Sequence, residues 1–187
     1  MGKNKRKILL YVLIITSFVF LIGCSQKEVK NDEIKPSNLI KKFSLKQFSN
    51  KINLFIEGEA AEIKSENVKV KKPSLLIDRK TEVIEIKTGK RGKAEIEINP
   101  ESKQIENVIF TGNVKIIQKD KRTEKIIMEA ECGKLTYSDK KKEMVMENSP
   151  VIRRGKNIFS GEKIYYFLEK NTLQIKGNVN VKIIPEK

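Results

Sequence analysis

The chain of 187 residues contains no histidine and no tryptophan, and it has only two cysteines. Without histidine it lacks the side chain that serves most often as a general base and as a metal ligand. It also lacks a glycine-rich phosphate loop, a nucleophilic serine elbow and a reactive cysteine context. We therefore predict no catalytic residues, no metal site and no cofactor, and an enzyme is the least supported class of function.

Arginine is also scarce, although the formal net charge is +15 at pH 7. The chain has 33 lysines against 6 arginines, and the lysines are spread along its length. Proteins that bind nucleic acids rely on arginine forks and on aromatic side chains that stack on bases. We therefore predict no nucleic-acid partner. We attribute the excess charge mainly to composition, with anionic lipid head groups as the alternative reason for it.

What the chain does contain is an internal repeat. The sequence VIFTGNVKII at residues 108–117 returns 65 positions later as LQIKGNVNVKI at residues 173–183. Both are alternating apolar runs interrupted by Gly-Asn-Val, and such alternation is typical of a half-buried strand. Gly112 and Gly177 fall among the inward-facing positions, where glycine indicates a bulge, a bend or a close approach of another chain. The repeat predicts a duplicated antiparallel sheet with one apolar interior.

Short alternating runs continue from Phe43 to the carboxyl end, and turn residues such as those at 99–100 and 138–139 separate them. Strands of this length at this spacing, without helical periodicity, predict an all-β fold, either a sandwich, a jelly roll or a barrel. The segment 39–48 has an alternative interpretation, because its apolar residues also fit a short amphipathic helix ahead of the sheet.

The first 24 residues have the layout of a secretory signal. A basic head is followed by an apolar run over residues 8–22 and then by Gly23 and Cys24. The run is shorter than the roughly 17 to 20 apolar residues of a membrane-spanning helix. Its ending, Leu-Ile-Gly-Cys, resembles the bacterial lipobox, in which the chain is cleaved before the cysteine and the cysteine is acylated. The alternative is an uncleaved anchor with a chance cysteine.

These features predict three parts. Residues 1–23 form a lipoprotein signal peptide, residues 24–42 comprise an acylated Cys24 and a polar tether, and residues 43–184 form the β domain. With Cys24 acylated, Cys132 has no partner for a disulfide within the chain. We expect Cys132 to be a small buried residue on a strand, without a redox role.

A family resemblance extends over residues 43–183. It is carried by FSLKQF, LFIEGEAAEI, TGKRGKAEIEI, IENVIFTGNVKI, MEAECGKLTYSDKKKEMVMENSPVIRRGKNIFSGEKIYYF and LQIKGNVNVKI. Together these segments resemble the LptC family, the membrane-anchored periplasmic component of lipopolysaccharide export, which shares its fold with LptA and with OstA-type domains. The most specific parts are the two Gly-Asn-Val strands and the order of Ala130, Leu135, Tyr137, Pro150, Gly161 and Tyr166.

The resemblance implies an open, twisted antiparallel β-jelly roll that holds acyl chains between its two sheets and transfers lipopolysaccharide without chemistry. The implied partners are lipopolysaccharide, the inner-membrane ABC transporter subunits of its export, and an LptA-like periplasmic jelly roll that pairs with edge strands. Acyl chains need only non-directional burial, which contributes about 0.8 kcal/mol per CH₂. The side chains expected to line the lipid-binding space are Phe110, Ile116, Met128, Ile164, Tyr166 and Ile175.

The resemblance also implies a location at the periplasmic face of the inner membrane, with a lipid anchor in place of the transmembrane helix that family members typically keep. Ser25 follows Cys24, whereas aspartate there would signal inner-membrane retention in enteric bacteria, so the outer membrane is the alternative location. The alternative function is a lipoprotein scaffold or assembly partner at the outer membrane. The two functions differ in whether the interior is an open groove or a filled core, and the inward methionines and glycines favour an adaptable interior.

Overall fold

The computed structural model describes residues 39–185, and all of the regular secondary structure within that range is β-strand. The strands are β1 Leu39–Gln47, β2 Ile52–Lys64, β3 Asn67–Lys71, β4 Ser74–Arg79, β5 Glu82–Lys87, β6 Lys93–Ile98, β7 Ile105–Asp120, β8 Ile126–Ser138, β9 Glu143–Glu147, β10 Val151–Arg154, β11 Asn157–Ser160, β12 Lys163–Phe167, β13 Thr172–Lys176 and β14 Asn180–Lys182. The predicted all-β fold is confirmed, and the alternative helix at residues 39–48 is wrong because this segment forms β1.

The amino-terminal predictions concern residues that the structure does not describe. The signal peptide, Cys24 and the tether as far as residue 38 lie outside the described range. β1 begins at Leu39, four residues before the predicted start of the domain at Phe43. Within residues 39–185, no helix is long and apolar enough to cross a membrane.

The long strands divide the molecule into two layers. The first half of β7 pairs with β6, and its second half pairs with β5. In the same way β2 changes partner from β4 to β3, and β8 changes partner from β10 to β9. Layer A therefore contains β3, β6, β9, β12 and β13, and layer B contains β4, β5, β10, β11 and β14. The long strands β2, β7 and β8 run through both layers and join them along one side, which we call the bend side.

The order of strand pairing repeats along the chain. The pairing order of strands β2 to β7 is the same as that of strands β8 to β14 when β13 and β14 are counted together as the equivalent of β7. The equivalence holds because β7 and the β13–β14 pair both pass from layer A to layer B through Gly-Asn. The duplicated antiparallel sheet predicted from the sequence repeat is thus confirmed.

The glycines of the repeat lie where the chain bends between the layers. Gly112 has φ of 94° and Asn113 has φ of 51°, and the register of β7 on β8 shifts at this point. Gly177 and Asn178 also have positive φ, at 67° and 44°. A Cβ atom on Gly112 would lie 3.1 Å from the Cα of Gly92, so a side chain here would press on the neighbouring backbone in a conformation that favours glycine. The predicted bulge is therefore present in the first copy, and the second copy is a bend between two strands.

The space between the layers is filled by cross-strand rows of apolar side chains. In layer B a fully buried row comprises Ile56, Leu75, Ile86, Ile116, Ala130 and Ile152. In layer A a row comprises Val70, Ala94, Phe110, Leu135, Met146, Ile164 and Ile175, and only its last member is partly exposed. The core therefore runs continuously from β2 to β12 and becomes accessible at β13.

Candidate lipid-binding interior and its seam

The structure brings all six predicted lipid-binding side chains into the interior. Phe110, Ile164 and Ile175 lie in one row of layer A, and Tyr166 lies in the neighbouring row. Ile116 and Met128 face them from layer B. All except Ile175 are fully buried, and Ile175 is half-buried on the last strand of its layer. Their shared location agrees with the alternate positions of each strand that were predicted to face the interior. Their contact with lipid stays a prediction.

In this state the interior is packed. Solvent does not reach the five buried side chains, and all five belong to a single apolar core. Three buried methionines, Met128, Met144 and Met146, lie within this core. Methionine is unbranched and polarisable, so it repacks around an inserted group more easily than a β-branched residue does.

Opposite the bend side, the hairpin ends of the two layers face each other along a line that we call the seam. The ends of β4–β5, β7–β8 and β10–β11 lie on the layer B side, and the ends of β8–β9 and β12–β13 lie on the layer A side. A group of polar side chains gathers here, which we call the seam cluster: Arg79, Glu82, Gln118, Arg154, Tyr166 and Asn171.

Tyr166 and Gln118 form the centre of the seam cluster. The Tyr166 hydroxyl lies 3.0 Å from Oε1 of Gln118 and 2.8 Å from Oδ1 of Asn171, and can donate to either oxygen. Gln118 donates through Nε2 to Glu82 at 2.8 Å. Apart from tyrosines, Gln118 is the only fully buried polar side chain in residues 39–185. Burial raises the pKa of Tyr166, so its hydroxyl stays protonated as a donor.

Two arginines flank this centre. Arg79 donates to the carboxylate of Glu82 at 2.9 Å, and Arg154 donates through Nη2 to Asn171 at 2.6 Å. The Nε of Arg154 is buried and has no hydrogen-bond partner among the described residues. An unpaired buried donor is costly, on the order of 1–3 kcal/mol, so Arg154 has hydrogen-bonding capacity that this state does not use.

Other polar contacts close the seam nearer to β1. Gln47 donates through Nε2 to Asp139 at 3.1 Å, and its Oε1 accepts from the backbone N–H of Ile105 at 2.6 Å. Asp139 also accepts from the Tyr137 hydroxyl at 2.7 Å. Burial and then this carboxylate raise the pKa of Tyr137. Lys51 lies 3.4 Å from Glu169 across the same line.

The carboxyl-terminal end of the jelly roll exposes apolar residues that the repeat predicts to face inward. Val179, Val181 and Ile183 are 56%, 43% and 70% exposed. Their equivalents in β7, 65 positions earlier, are Val114 and Ile116, which are buried, and the buried polar Gln118. The difference arises because β8 covers one edge of β7, whereas β14 pairs only with β11 among the described strands.

Chemically reactive groups are few in the described part of the chain. No set of three or more histidine, cysteine, aspartate or glutamate side chains there is placed to hold a metal ion. Cys132 is buried on β8, as predicted, and burial raises the pKa of its thiol to about 12. A thiol that is protonated and inaccessible at neutral pH is a poor nucleophile.

Sequence reasoning placed Tyr166 in the interior but missed the other residues of the seam cluster. The sequence could have identified Gln118, because it follows Val114 and Ile116 at the next inward-facing position of β7 and is polar. A polar residue at an inward position needs a buried partner, which here is Tyr166. Arg79, Arg154 and Asn171 lie at hairpin ends, where charged and polar residues are expected in any case.

Comparisons with known proteins agree with this architecture. A family model described as LptA/(LptD N-terminal domain) LPS transport protein matches residues 59–172. Among solved structures, the crystal structure of LptH, the LptA-homologous periplasmic component of the lipopolysaccharide transport device from Pseudomonas aeruginosa, superposes with a TM-score of 0.56 at 14% sequence identity. The match covers 71% of this chain and 95% of LptH, and it shows the shared jelly-roll fold. A search of curated proteins found no significant match.

The family model also refines the resemblance that the sequence suggested. It begins within β2 and ends at Thr172, the first residue of β13, so it includes the first Gly-Asn-Val strand and stops before the second. It corresponds to the LptA and LptD amino-terminal domain, which has the OstA-type fold, and it does not single out LptC. Because the match covers more than half of the chain, the protein belongs to the LptA/LptD N-terminal domain family of lipopolysaccharide transport proteins.

Proposed function

We propose that this protein is a non-enzymatic lipid-transfer component of lipopolysaccharide export, which binds the acyl chains between its layers and passes the lipid along a periplasmic bridge of jelly rolls. The observation that carries the proposal is the continuous apolar interior, which ends at β13 and β14 as exposed apolar surface. The family to which the chain belongs indicates the substrate.

The interior suits acyl chains because it is apolar along its whole length. Each buried CH₂ group of a ligand gains about 0.8 kcal/mol without any directional contact. Phe110, Ile116, Met128, Ile164, Tyr166 and Ile175 are the side chains that acyl chains would meet. Repacking of the methionines supplies part of the space, and separation of the layers supplies the rest.

The two ends of the jelly roll supply the docking edges. β1 pairs with β2 as β7 pairs with β8, so β1 takes the position of a last strand from a preceding repeat. At the other end, no described strand covers the edge of β13 and β14 in the way that β8 covers β7. An LptA-like jelly roll that adds a strand to this edge would cover Val179 and Val181. The lipid itself would come from the inner-membrane ABC transporter subunits.

The amino terminus gives the protein a role like that of LptC, as a bridge component held at a membrane. Cleavage before Cys24 and acylation of Cys24 would hold the domain at the periplasmic face of the inner membrane through a short tether. Metabolic labelling with an alkyne analogue of palmitate is expected to tag the wild-type protein and not the Cys24→Ala variant. Equal labelling of both proteins would contradict acylation at this cysteine.

Site-specific photocrosslinking in living cells tests lipid binding directly. We expect p-benzoylphenylalanine at Phe110 or Ile175 to capture lipopolysaccharide. The control position is Phe55, which lies on the outward face of β2 and lines a surface groove of about 460 Å³. Absence of an adduct from the interior positions in a folded, membrane-bound protein would contradict the proposal.

The second candidate function is a scaffold with a filled core, and the complete burial of five of the six predicted lipid contacts favours it. A scaffold would still dock partners through its edges but would capture no lipid. Capture of a partner jelly roll from positions on β14, without lipid capture from Phe110 or Ile175, would therefore select the scaffold.

A further inference from the structure

The topology limits how a lipid can reach the interior. On the bend side, β2, β7 and β8 cross from one layer to the other as continuous backbone, so that side cannot open without breaking strands. An amphiphile with its acyl chains between the layers must therefore place its polar head at the seam or at an end of the jelly roll. The question is which of these routes the lipid takes.

The seam can separate without loss of sheet structure. The polar contacts that cross it in the described residues all involve side chains: Tyr166 with Gln118, Arg154 with Asn171, Gln47 with Asp139 and with the backbone N–H of Ile105, and Lys51 with Glu169. No strand pairing crosses the seam in this range. A polar side-chain hydrogen bond contributes only about 0.5–1.5 kcal/mol net, because water replaces the partner when the contact opens. Opening the seam thus breaks no strand pairing. The apolar side chains packed between the layers must also part, and an acyl chain that enters between them replaces those contacts.

The chemistry of the seam cluster fits an anionic head group. Hydrogen bonds connect both arginines to the Tyr166 hydroxyl: Arg154 through Asn171, and Arg79 through Glu82 and Gln118. Arg79 is paired with Glu82, while Arg154 is held by a neutral amide and has one unused buried donor. The planar guanidinium fork matches the oxygens of a phosphate group, which would be a stronger acceptor than the Asn171 amide.

We propose that lipid enters sideways through the seam at the seam cluster, and that Arg154 there exchanges Asn171 for a phosphate group on the head of a multiply acylated glycolipid. This inference rests on the proposed lipid-transfer function and adds the route and the head-group contact. Tyr166 and Gln118 close the seam in the lipid-free chain and separate as the acyl chains pass between the layers.

A reversible lock on the seam tests the route. The full-length chain carries Gln47→Cys and Asp139→Cys, with p-benzoylphenylalanine at Phe110. A short bis-methanethiosulfonate reagent bridges the two cysteines by forming a disulfide with each and releasing methanesulfinate, and reduction removes the bridge. The probe is a phosphorylated, multiply acylated glucosamine disaccharide in micelles. We expect the bridged protein to capture the probe at least tenfold more slowly than the same protein after reduction. Cys132 does not interfere, because its thiol is buried and its pKa is raised to about 12.

The matched control bridges two cysteines that do not cross the seam. Thr136 and Val145 are cross-strand neighbours on the outward face of layer A, so a bridge between Thr136→Cys and Val145→Cys leaves the seam free. We expect this bridge to leave capture unchanged.

Tyr166→Phe keeps the ring but removes the hydroxyl that joins the layers, and we expect it to raise the capture rate several-fold. Capture that is equally fast in the bridged and reduced seam proteins would overturn the sideways route and assign lipid uptake to an end of the jelly roll.

Arg154→Gln tests the head-group contact, and Arg153→Gln is its control on the same strand with an exposed side chain. We expect Arg154→Gln to weaken binding of the phosphorylated disaccharide about tenfold and to leave binding of its dephosphorylated counterpart unchanged. Arg153→Gln is expected to affect neither. Equal losses for both probes, or equal losses in both variants, would overturn the phosphate contact. If the wild-type protein captures neither probe, the proposed lipid-transfer function fails, and this inference fails with it.

Discussion

A valine occupies the same place in both halves of the repeat, and its two copies have opposite surroundings. Val114 follows Gly-Asn in β7 and is 1% exposed, whereas Val179 follows Gly-Asn just before β14 and is 56% exposed. Substitution by alanine removes the same atoms from the two sites. The comparison therefore isolates the effect of burial from the effect of residue type and of local backbone conformation.

At Val114 the loss has two parts. Two methyl groups leave an apolar environment, which costs about 1.6 kcal/mol at about 0.8 kcal/mol each. The space left behind adds a cavity term, so we expect a total of about 2 kcal/mol. For a domain of this size, 1 kcal/mol shifts Tm by about 2–4 °C, which predicts a decrease of about 4–8 °C for Val114→Ala. For Val179→Ala the surface position predicts a change within about 0.5 kcal/mol, or less than about 2 °C.

The assay is a thermal melt of the full-length chain followed by far-ultraviolet circular dichroism, with both variants measured beside the wild type. Equal decreases in Tm for the two variants would refute the reasoning, because they would show that Val179 is packed in the free protein. A decrease of less than about 1 °C for Val114→Ala would refute it as well, since the β7 side chain would then contribute little to the core.

Three further predictions follow from single side chains. The Lys163 ammonium, whose Nζ lies 2.6 Å from Oε1 of Glu147, lowers the pKa of that carboxyl, so the pair stabilises the fold above the unfolded pKa of the glutamate and loses this effect as pH falls. The Tm difference between wild type and Glu147→Gln is therefore expected to vanish between about pH 5 and pH 3. A Tm difference that stays constant over this range would contradict the prediction. Iodoacetamide at pH 8 is expected to leave Cys132 unmodified in the native protein and to modify it after unfolding; rapid native labelling would show that β8 opens. Val181→Asp is expected to abolish pull-down of a partner jelly roll while Tm changes by less than about 2 °C, because Val181 is exposed in the free protein. Ile116→Asp, at the equivalent buried site, is expected to unfold the domain. Undiminished pull-down by Val181→Asp would exclude this edge as the contact.

The strands and most of the core could be predicted from the sequence. Val108 and Phe110 in β7 and Met144 and Met146 in β9 are buried, as their alternation predicts. The prediction works because successive side chains of a strand point to opposite faces, so period-two patterning is a local property of the chain. The Gly-Asn-Val repeat identified the duplication for a similar reason, since each bend between layers needs residues that accept positive φ.

Local patterning failed where a strand changes layer. Strict alternation along β2 from Leu54 and Ile56 would place Gly58 and Ala60 inside, but Ala61 is buried and Ala60 is only half-buried. The strand bends near Gly58 as its partner changes from β4 to β3, and the bend shifts which face is inside. The short strands β10 and β11 were not predicted, because β10 has four residues and only Ile152 in it is buried.

The sequence by itself determined that the chain forms an all-β, duplicated fold with an apolar interior, since each of these properties follows from residues close together in the chain. Only the tertiary structure decided that Val179 is exposed while Val114 is buried, and that Gln118 meets Tyr166 across 48 positions of sequence. Exposure and contact depend on which strand lies next to an edge and which hairpin lies across the seam. Those neighbours are set by the pairing of distant strands, which no local pattern of side chains specifies.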